Sequence, residues 1–237
     1  GRLGRQSPIN TMRTLAQEAG AHQLWTWLGA AGVLAGFLIL SYYSVIAGWA
    51  LAYVFRAGSG LFTGLTADGV QSIFSNLVDE PERLLAWHTI FMVMTMIIVG
   101  RGVRSGLERA VRLLMPALFV LLLVLVGYAW NTDAFQQGLD FLFTPDFGAI
   151  TANGVLIAMG HAFFTLSLGM GAIMVYGSYL PDNASIAKTS VTVSIMDTTV
   201  ALLAGMAIFP IVFANGLEPG AGPGLIFQTL PIAFGHM

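Results

Sequence analysis

Five long apolar stretches run through this chain of 237 residues, and charged residues stand between them. Four of the stretches hold no Asp, Glu, Lys or Arg: residues 19–55, 84–100, 113–132 and 147–181. The fifth, residues 189–217, holds a single charge, Asp197. A helix needs about 20 apolar residues to cross a bilayer, and these stretches lack the period-two alternation of a membrane β-barrel. The pattern therefore predicts an all-α membrane protein.

The same pattern sets the expected boundaries. The first stretch would measure about 55 Å as one helix, so we expect a tilted helix that protrudes from the bilayer. We interpret residues 1–237 as a single transmembrane domain, and as an internal piece of a longer membrane protein. The predicted spans are about 23–54, 84–100, 108–129, 150–180 (broken near 166–171) and 185–213, with the start of another at about 224.

Composition excludes several classes of protein. Hydrophobic residues make up 56% of the chain and charged residues only 9%. An ordinary soluble domain carries about 25% charged residues, so the composition excludes a soluble enzyme. A net charge of −2 offers no basic excess for phosphate groups, so we expect no nucleic-acid partner. The absence of cysteine excludes disulfide frameworks, thiolate zinc sites and cysteine nucleophiles.

Charge in the predicted loops indicates the orientation of the chain. Eight of the ten basic residues lie before the first span, in 101–112 or in 181–188, and these segments share one side of the membrane. The other side holds eight of the twelve acidic residues. The positive-inside rule places the basic side in the cytoplasm, which predicts a multi-pass protein of the cytoplasmic (inner) membrane.

The stretch at 147–181 is interrupted by glycines in SLGMG, residues 167–171. Each glycine costs about 1 kcal/mol of helix stability, and unwound backbone at membrane depth is tolerated only inside protein or beside a wet cavity. A binding site near the midplane of the bilayer is one interpretation. Close helix packing through small residues is the other, and the residues alone leave both open.

A few residues in the spans could carry chemistry. Asp197 is the only mid-span carboxylate, which costs at least about 2.5–3.5 kcal/mol on insertion scales. It is an ion ligand or proton carrier, or else a protonated group in a helix–helix hydrogen bond. Ile39, Tyr43 and Ile46 share one helix face, where the tyrosine hydroxyl could bind an anion or simply pack between helices.

Hydroxyl groups also flank the glycine interruption. Thr165 and Ser167 offer hard oxygen ligands for a small cation, or bond back to their own helix. His161 lies one turn earlier and is ionisable, although a neutral, hydrogen-bonded histidine is the default interpretation. The motifs of zinc proteases, serine hydrolases and P-loop proteins are absent.

Six segments resemble the sodium:neurotransmitter symporter family, which has the leucine-transporter fold. HAFFTLSLGMGAIMVYGSYL closely resembles its discontinuous sixth helix, and SYYSVIAGW resembles its third. The other four are GRLGRQSPI (end of the second helix and the following loop), FLFTPDF (loop before the sixth), DTTVALLAG (seventh) and GPGLIFQTLP (approach to the eighth). Broken helices at a midplane site are best known from this fold itself, so the interruption at SLGMG and the resemblance are not two independent indications of a binding site.

The resemblance implies a partial leucine-transporter fold, with the third to seventh helices and stubs of the second and eighth. It implies that Tyr43 binds the substrate carboxylate. It implies further substrate contacts from Ile39, Ile46, Phe164, Ser167, Gly169 and Met170, and a cytoplasmic gate at Tyr179.

For the ions, the resemblance implies sodium ligation by Thr165 and Asp197. Many relatives have asparagine where this chain has Asp197, and Ala201 stands where chloride-dependent members have serine. A fixed acid at this place resembles the chloride-independent bacterial members, so we expect no requirement for chloride. His161 replaces a commoner glutamine, and its role stays open.

Together these observations predict a sodium-coupled symporter of amino acids or related small amines, and not an enzyme. Sodium is then a coupling ion, no other cofactor is expected, and the partners are an amino-acid substrate, Na⁺ and the lipid bilayer. The alternatives are a membrane-embedded hydrolase using Ser167 or His161 and a truncated, non-transporting scaffold. In the family, the first helix completes the substrate site, and the first and eighth helices form a second sodium site. The oligomeric state is not determined by the sequence.

Overall fold

The computed structural model of the chain describes residues 1–220 and 225–235, and these residues contain helices but no β-strand. Ten α-helices follow one another along the described chain. They are α1 (Pro8–Glu18), α2 (Trp25–Gly58), α3 (Ala67–Val78), α4 (Pro81–Gly100), α5 (Glu108–Trp130), α6 (Phe135–Phe143), α7 (Ala152–Thr165), α8 (Ala172–Ser178), α9 (Ile186–Ala214) and α10 (Leu230–Gly235).

Four helical stretches are long and apolar enough to cross a membrane: Trp25–Gly58, Pro81–Gly100, Ser105–Trp130 and Ile186–Ala214. They lie where the sequence predicts spans over 23–54, 84–100, 108–129 and 185–213. The longest, α2, has 34 residues and is therefore about 51 Å long. The predicted start of a further span at about 224 falls on residues 221–224, outside the described residues.

Local sequence explains where several helices begin. The hydroxyl of Ser7 accepts a hydrogen bond from the amide of Asn10, and Pro8 occupies the first helical position of α1. The hydroxyl of Thr151 caps α7 in the same way, accepting from the amide of Gly154 at 3.0 Å. Such caps satisfy amides that have no partner inside the helix.

The chain divides into two compact units by its internal contacts, and the single transmembrane domain expected from the sequence stays a prediction. The first unit contains residues 1–42 and 146–199, and the second contains residues 43–145 and 200–237. The second unit has a core of aromatic and aliphatic side chains around Tyr53, Phe62 and Phe227. Both α2 and α9 continue from one unit into the other. The site described next is built from the first unit.

Candidate functional site

An interruption of six residues separates α7 from α8, and we call residues 166–171 the break. Helix α7 ends at Thr165 and α8 begins at Ala172. The break coincides with the stretch that the sequence predicts to be unwound. Among the described residues, none of the carbonyls of 166–170 accepts a backbone hydrogen bond.

The end of α7 is a Schellman motif. The amide of Leu168 donates to the carbonyl of Phe163 at 2.8 Å, and the amide of Ser167 donates to the carbonyl of Phe164 at 3.0 Å. This pair of bonds is the signature of the motif, and it places one residue in the left-handed region. That residue is Ser167, with a φ of 55°, where glycine is the usual occupant.

Two glycines complete the break. Gly169 has a φ of 86° and Gly171 a φ of 75°, values that a residue with a β-carbon adopts only at a cost. Three of the five residues from Ser167 to Gly171 are therefore left-handed, and no right-handed helix can pass through them. The motif SLGMG thus produces the break by its own backbone preferences.

Thr165 and Asp197 meet at the end of α7. The Thr165 hydroxyl lies 3.1 Å from one carboxylate oxygen of Asp197 and 3.2 Å from the other, and it donates to both. The contact joins α7 to α9 across 32 positions of sequence. One interpretation of the sequence placed Asp197 in a hydrogen bond between helices, and this contact is such a bond, with Asp197 as the acceptor. Thr165 and Asp197 are also the two residues predicted to bind sodium. Carboxylate and hydroxyl oxygens suit a hard cation, and the carbonyl end of α7 adds partial negative charge.

A cavity of about 200 Å³ lies beside the break within the first unit. Glycines and apolar side chains make up most of its wall. It is lined by Ser167, Leu168, Gly169 and Gly171 of the break, Ile173 and Met174 of α8, Pro8 and Met12 of α1, and Leu28, Gly29 and Gly32 of α2. Of the predicted substrate residues, Ser167 and Gly169 thus face this cavity.

The remaining predicted residues of the first unit lie along the elements around the break. Phe164 is in the last turn of α7 and is 43% exposed, and Met170 is half-buried within the break. His161 is exposed on α7, one turn before Thr165. Tyr179 follows the last residue of α8 and is 62% exposed.

The predicted residues of the third helix all lie on α2. Ile39 and Ile46 are half-buried, and Tyr43 is 45% exposed. Tyr43 and Ile46 belong to the second unit, where Ile46 packs against the aromatic core. Their convergence with Phe164 and Met170 around one substrate stays a prediction.

The sequence analysis did not identify the residues of α1 and α2 that pack against the break. Gly32 and Gly36 of α2 approach the backbone of the break directly, and the ring of Pro8 approaches Gly171. The spacing of Gly29, Gly32 and Gly36, three and then four residues apart, puts all three on one helix face. The spacing indicates a close contact with another segment, but it does not identify that segment.

Basic residues of the first segment bind the turn after α8. The guanidinium of Arg5 lies 2.6 Å from the carboxylate of Asp182, and Arg2 donates to the carbonyl of Ala184 at 2.7 Å. Both side chains of the ion pair are more than half exposed, so the pair contributes little to stability. Its geometry nevertheless ties the first residues of the chain to the loop between α8 and α9.

Known proteins match the chain along most of its length. Residues 70–237 match the description "Sodium:neurotransmitter symporter family". An uncharacterized sodium-dependent transporter, YhdH, of Bacillus subtilis (strain 168) is 39% identical over 98% of this chain and 51% of its own length. A second uncharacterized sodium-dependent transporter, from Haemophilus influenzae, is 34% identical over 99% of this chain and 53% of its own length.

A solved structure shows the same arrangement of helices. The crystal structure of MhsT in complex with L-phenylalanine is 42% identical in sequence and aligns with a TM-score of 0.89, covering 100% of this chain and 53% of MhsT. The chain therefore spans about half the length of the relatives it matches. The predicted all-α fold, which is part of the leucine-transporter fold, is confirmed. The prediction that the chain comes from a family of membrane transporters is confirmed as well. The helices, the break and the match over residues 70–237 together show that the chain belongs to the sodium:neurotransmitter symporter family.

Proposed function

We propose that the complete protein is a sodium-coupled symporter of amino acids, in the cytoplasmic membrane. The observation that carries this proposal is the contact of Thr165 with Asp197 at the open end of α7. In a member of a sodium-dependent transporter family, this contact supplies two oxygen ligands beside unpaired backbone carbonyls. Transport, and not hydrolysis, is the function that such an arrangement supports.

The binding of sodium and the binding of substrate would depend on each other, because both involve the break. Among the described residues, the carbonyls of 166–170 accept no backbone hydrogen bond, so an ordered position for them costs free energy. A sodium ion held by Thr165 and Asp197 offsets part of that cost and favours closure around an amino acid. Alternating access of the site to the two sides of the membrane completes the proposed mechanism.

The substrate we propose is an apolar or aromatic amino acid. Met170 lies in the break, where the resemblance assigns a side-chain pocket, and methionine is unbranched and adapts to large apolar groups. MhsT, which is 42% identical, was solved with L-phenylalanine. Tyr43 would bind the substrate carboxylate, Phe164 would cover the substrate, and Tyr179 would gate the cytoplasmic side.

We further propose that transport needs no chloride. Asp197 is a carboxylate at the sodium ligand position, so the negative charge that balances sodium is part of the protein. At a separation of 4 Å and an effective dielectric constant of 20, two unit charges attract by about 4 kcal/mol. A fixed acid can therefore substitute for a bound anion.

Uptake into liposomes tests the proposal directly. The complete protein would be reconstituted, and labelled L-phenylalanine uptake measured with an inward sodium gradient and with potassium in its place. Uptake that is stimulated by sodium and inhibited by unlabelled leucine or tryptophan is the expected result. Uptake independent of sodium would refute symport, and a strong preference for glycine or a charged amino acid would refute the assignment of Met170.

A further inference from the structure

The break lies against the backbone of α2 at a position where α2 has no side chain. A β-carbon built on Gly32 would lie 3.2 Å from the carbonyl oxygen of Gly169 and 3.2 Å from the amide nitrogen of Gly171. One turn further on, a β-carbon on Gly36 would lie 3.5 Å from the carbonyl oxygen of Met170. Gly32 is buried, so its surface is committed to this contact.

Pro8 approaches the break from another direction. A β-carbon built on Gly171 would lie 3.2 Å from the Cγ atom of Pro8 and 3.8 Å from the carbonyl carbon of Gly32. Gly171 is also left-handed, so its backbone conformation and its surroundings both require glycine. The backbone of residues 169–171 therefore lies in a narrow space between Pro8 and Gly32.

We propose that Gly32 is a positioning residue, which sets where the unwound backbone of residues 169–171 lies and thereby aligns the break with substrate and sodium. Helix α2 is continuous through Gly32, with its backbone hydrogen bonds formed within the helix. In the break, by contrast, the carbonyls of the described residues 166–170 accept no backbone hydrogen bond. Because the break is the more compliant partner, a side chain at position 32 displaces the break and leaves α2 in place.

The displacement should be small but measurable in function. A contact of 3.2 Å is shorter than ordinary van der Waals contact, so Gly32→Ala requires a shift of a few tenths of an ångström. A misplacement of 1 Å in a functional site can cost about 100-fold. A shift of this smaller size predicts that the KM for the amino acid and the half-saturating sodium concentration each rise about three- to tenfold.

Gly48 provides a matched steric control on the same helix. A β-carbon there would lie 2.9 Å from the amide nitrogen of His88 and 3.1 Å from the carbonyl carbon of Trp87, so it meets the backbone of α4 and not the break or Pro8. Gly48→Ala is the tighter substitution, and general damage to packing would make it the worse one. If position is the cause, Gly48→Ala lowers thermal stability more than Gly32→Ala but raises the KM less.

The inference rests on the proposed function, and the experiment separates the two. Wild type, Gly32→Ala and Gly48→Ala forms of the complete protein would be compared for sodium-driven phenylalanine uptake, and for amide hydrogen exchange in residues 166–172 without ligand. Wild-type protein that shows no sodium-driven uptake refutes the proposed function and leaves the exchange comparison valid. Faster exchange in Gly32→Ala alone, with a raised KM and a nearly unchanged maximal rate, supports the inference.

Two results would overturn it. One is a Gly32→Ala protein with wild-type KM, sodium dependence and exchange, and the other is a Gly48→Ala protein whose KM rises as much. If Gly32→Ala fails to accumulate as folded protein, Gly36→Val brings extra methyl groups toward the carbonyl of Met170 and is measured in its place. A wild-type KM in Gly36→Val would then reject the inference.

Discussion

Removing the charge of Asp197 is the most direct test of the proposed sodium site. Asp197→Asn removes the negative charge but keeps an oxygen that can still accept from the Thr165 hydroxyl, now 3.1–3.2 Å from the carboxylate oxygens. The substitution therefore changes the electrostatics of the site with little change in its shape. No other Asp or Glu occurs in residues 147–217 apart from Asp182, which lies in a loop.

The expected loss follows from the charge. Unit charges 4 Å apart attract by about 4 kcal/mol at an effective dielectric constant of 20, and the amide dipole of asparagine retains part of that attraction. If only a third is lost, about 1.4 kcal/mol, the sodium affinity falls about tenfold. We therefore expect the half-saturating sodium concentration of Asp197→Asn to rise at least about tenfold, unless chloride supplies the missing charge.

The assay is uptake of labelled phenylalanine over a range of sodium concentrations, with chloride or with gluconate as the anion. Wild-type uptake should be the same in both anions, whereas Asp197→Asn should be weakened in gluconate and could be restored by chloride. Asp140→Asn is the control, because Asp140 is an exposed acid on α6 whose carboxylate accepts a hydrogen bond from the Gln136 side chain at 2.9 Å. Chloride-dependent wild-type uptake, or a mutant that equals wild type in both buffers, would refute the reasoning.

Three further predictions address the neighbouring groups. Thr165→Val removes a hydroxyl bonded to a carboxylate, worth about 1.5 kcal/mol or more, so sodium affinity should fall about tenfold; Thr165→Ser should retain it, and equal loss in both variants would contradict the prediction. Ser167→Gly relieves left-handed strain of roughly 1 kcal/mol and should raise the melting temperature in detergent, while β-branched Ser167→Val should lower it; the opposite order would show that Ser167 is not strained. Tyr43→Phe should raise the KM for the amino acid about tenfold through loss of a bond to its carboxylate, with Tyr42→Phe unchanged in the same uptake assay.

Local chemistry explains what the sequence could predict. Long runs without charge define where helices can cross a bilayer, since a charge at membrane depth is costly. The break could be placed within SLGMG because backbone preference is a property of the residues themselves. The short helices α1, α3 and α6 were not predicted, because they lie between the spans and are too short to form a long apolar run.

Contacts between distant segments were decided only by the tertiary structure. The meeting of Thr165 with Asp197 joins residues 32 positions apart, and helical periodicity carries no information about which faces of α7 and α9 meet. In the same way, three glycines on α2 indicate a close approach, but not that Gly32 meets the break while Gly29 meets α1. The division of the chain into two compact units also depends on such contacts.

The physical reason is the range of the forces involved. Backbone strain and the cost of charge at membrane depth act on each residue whatever its distant neighbours are, so the sequence by itself determined the apolar spans and the place of the break. Packing and hydrogen bonds act only within a few ångströms, between atoms that the fold must first bring together. The contact of Thr165 on α7 with Asp197 on α9 and the packing of the α2 glycines against the break were therefore decided by the tertiary structure alone.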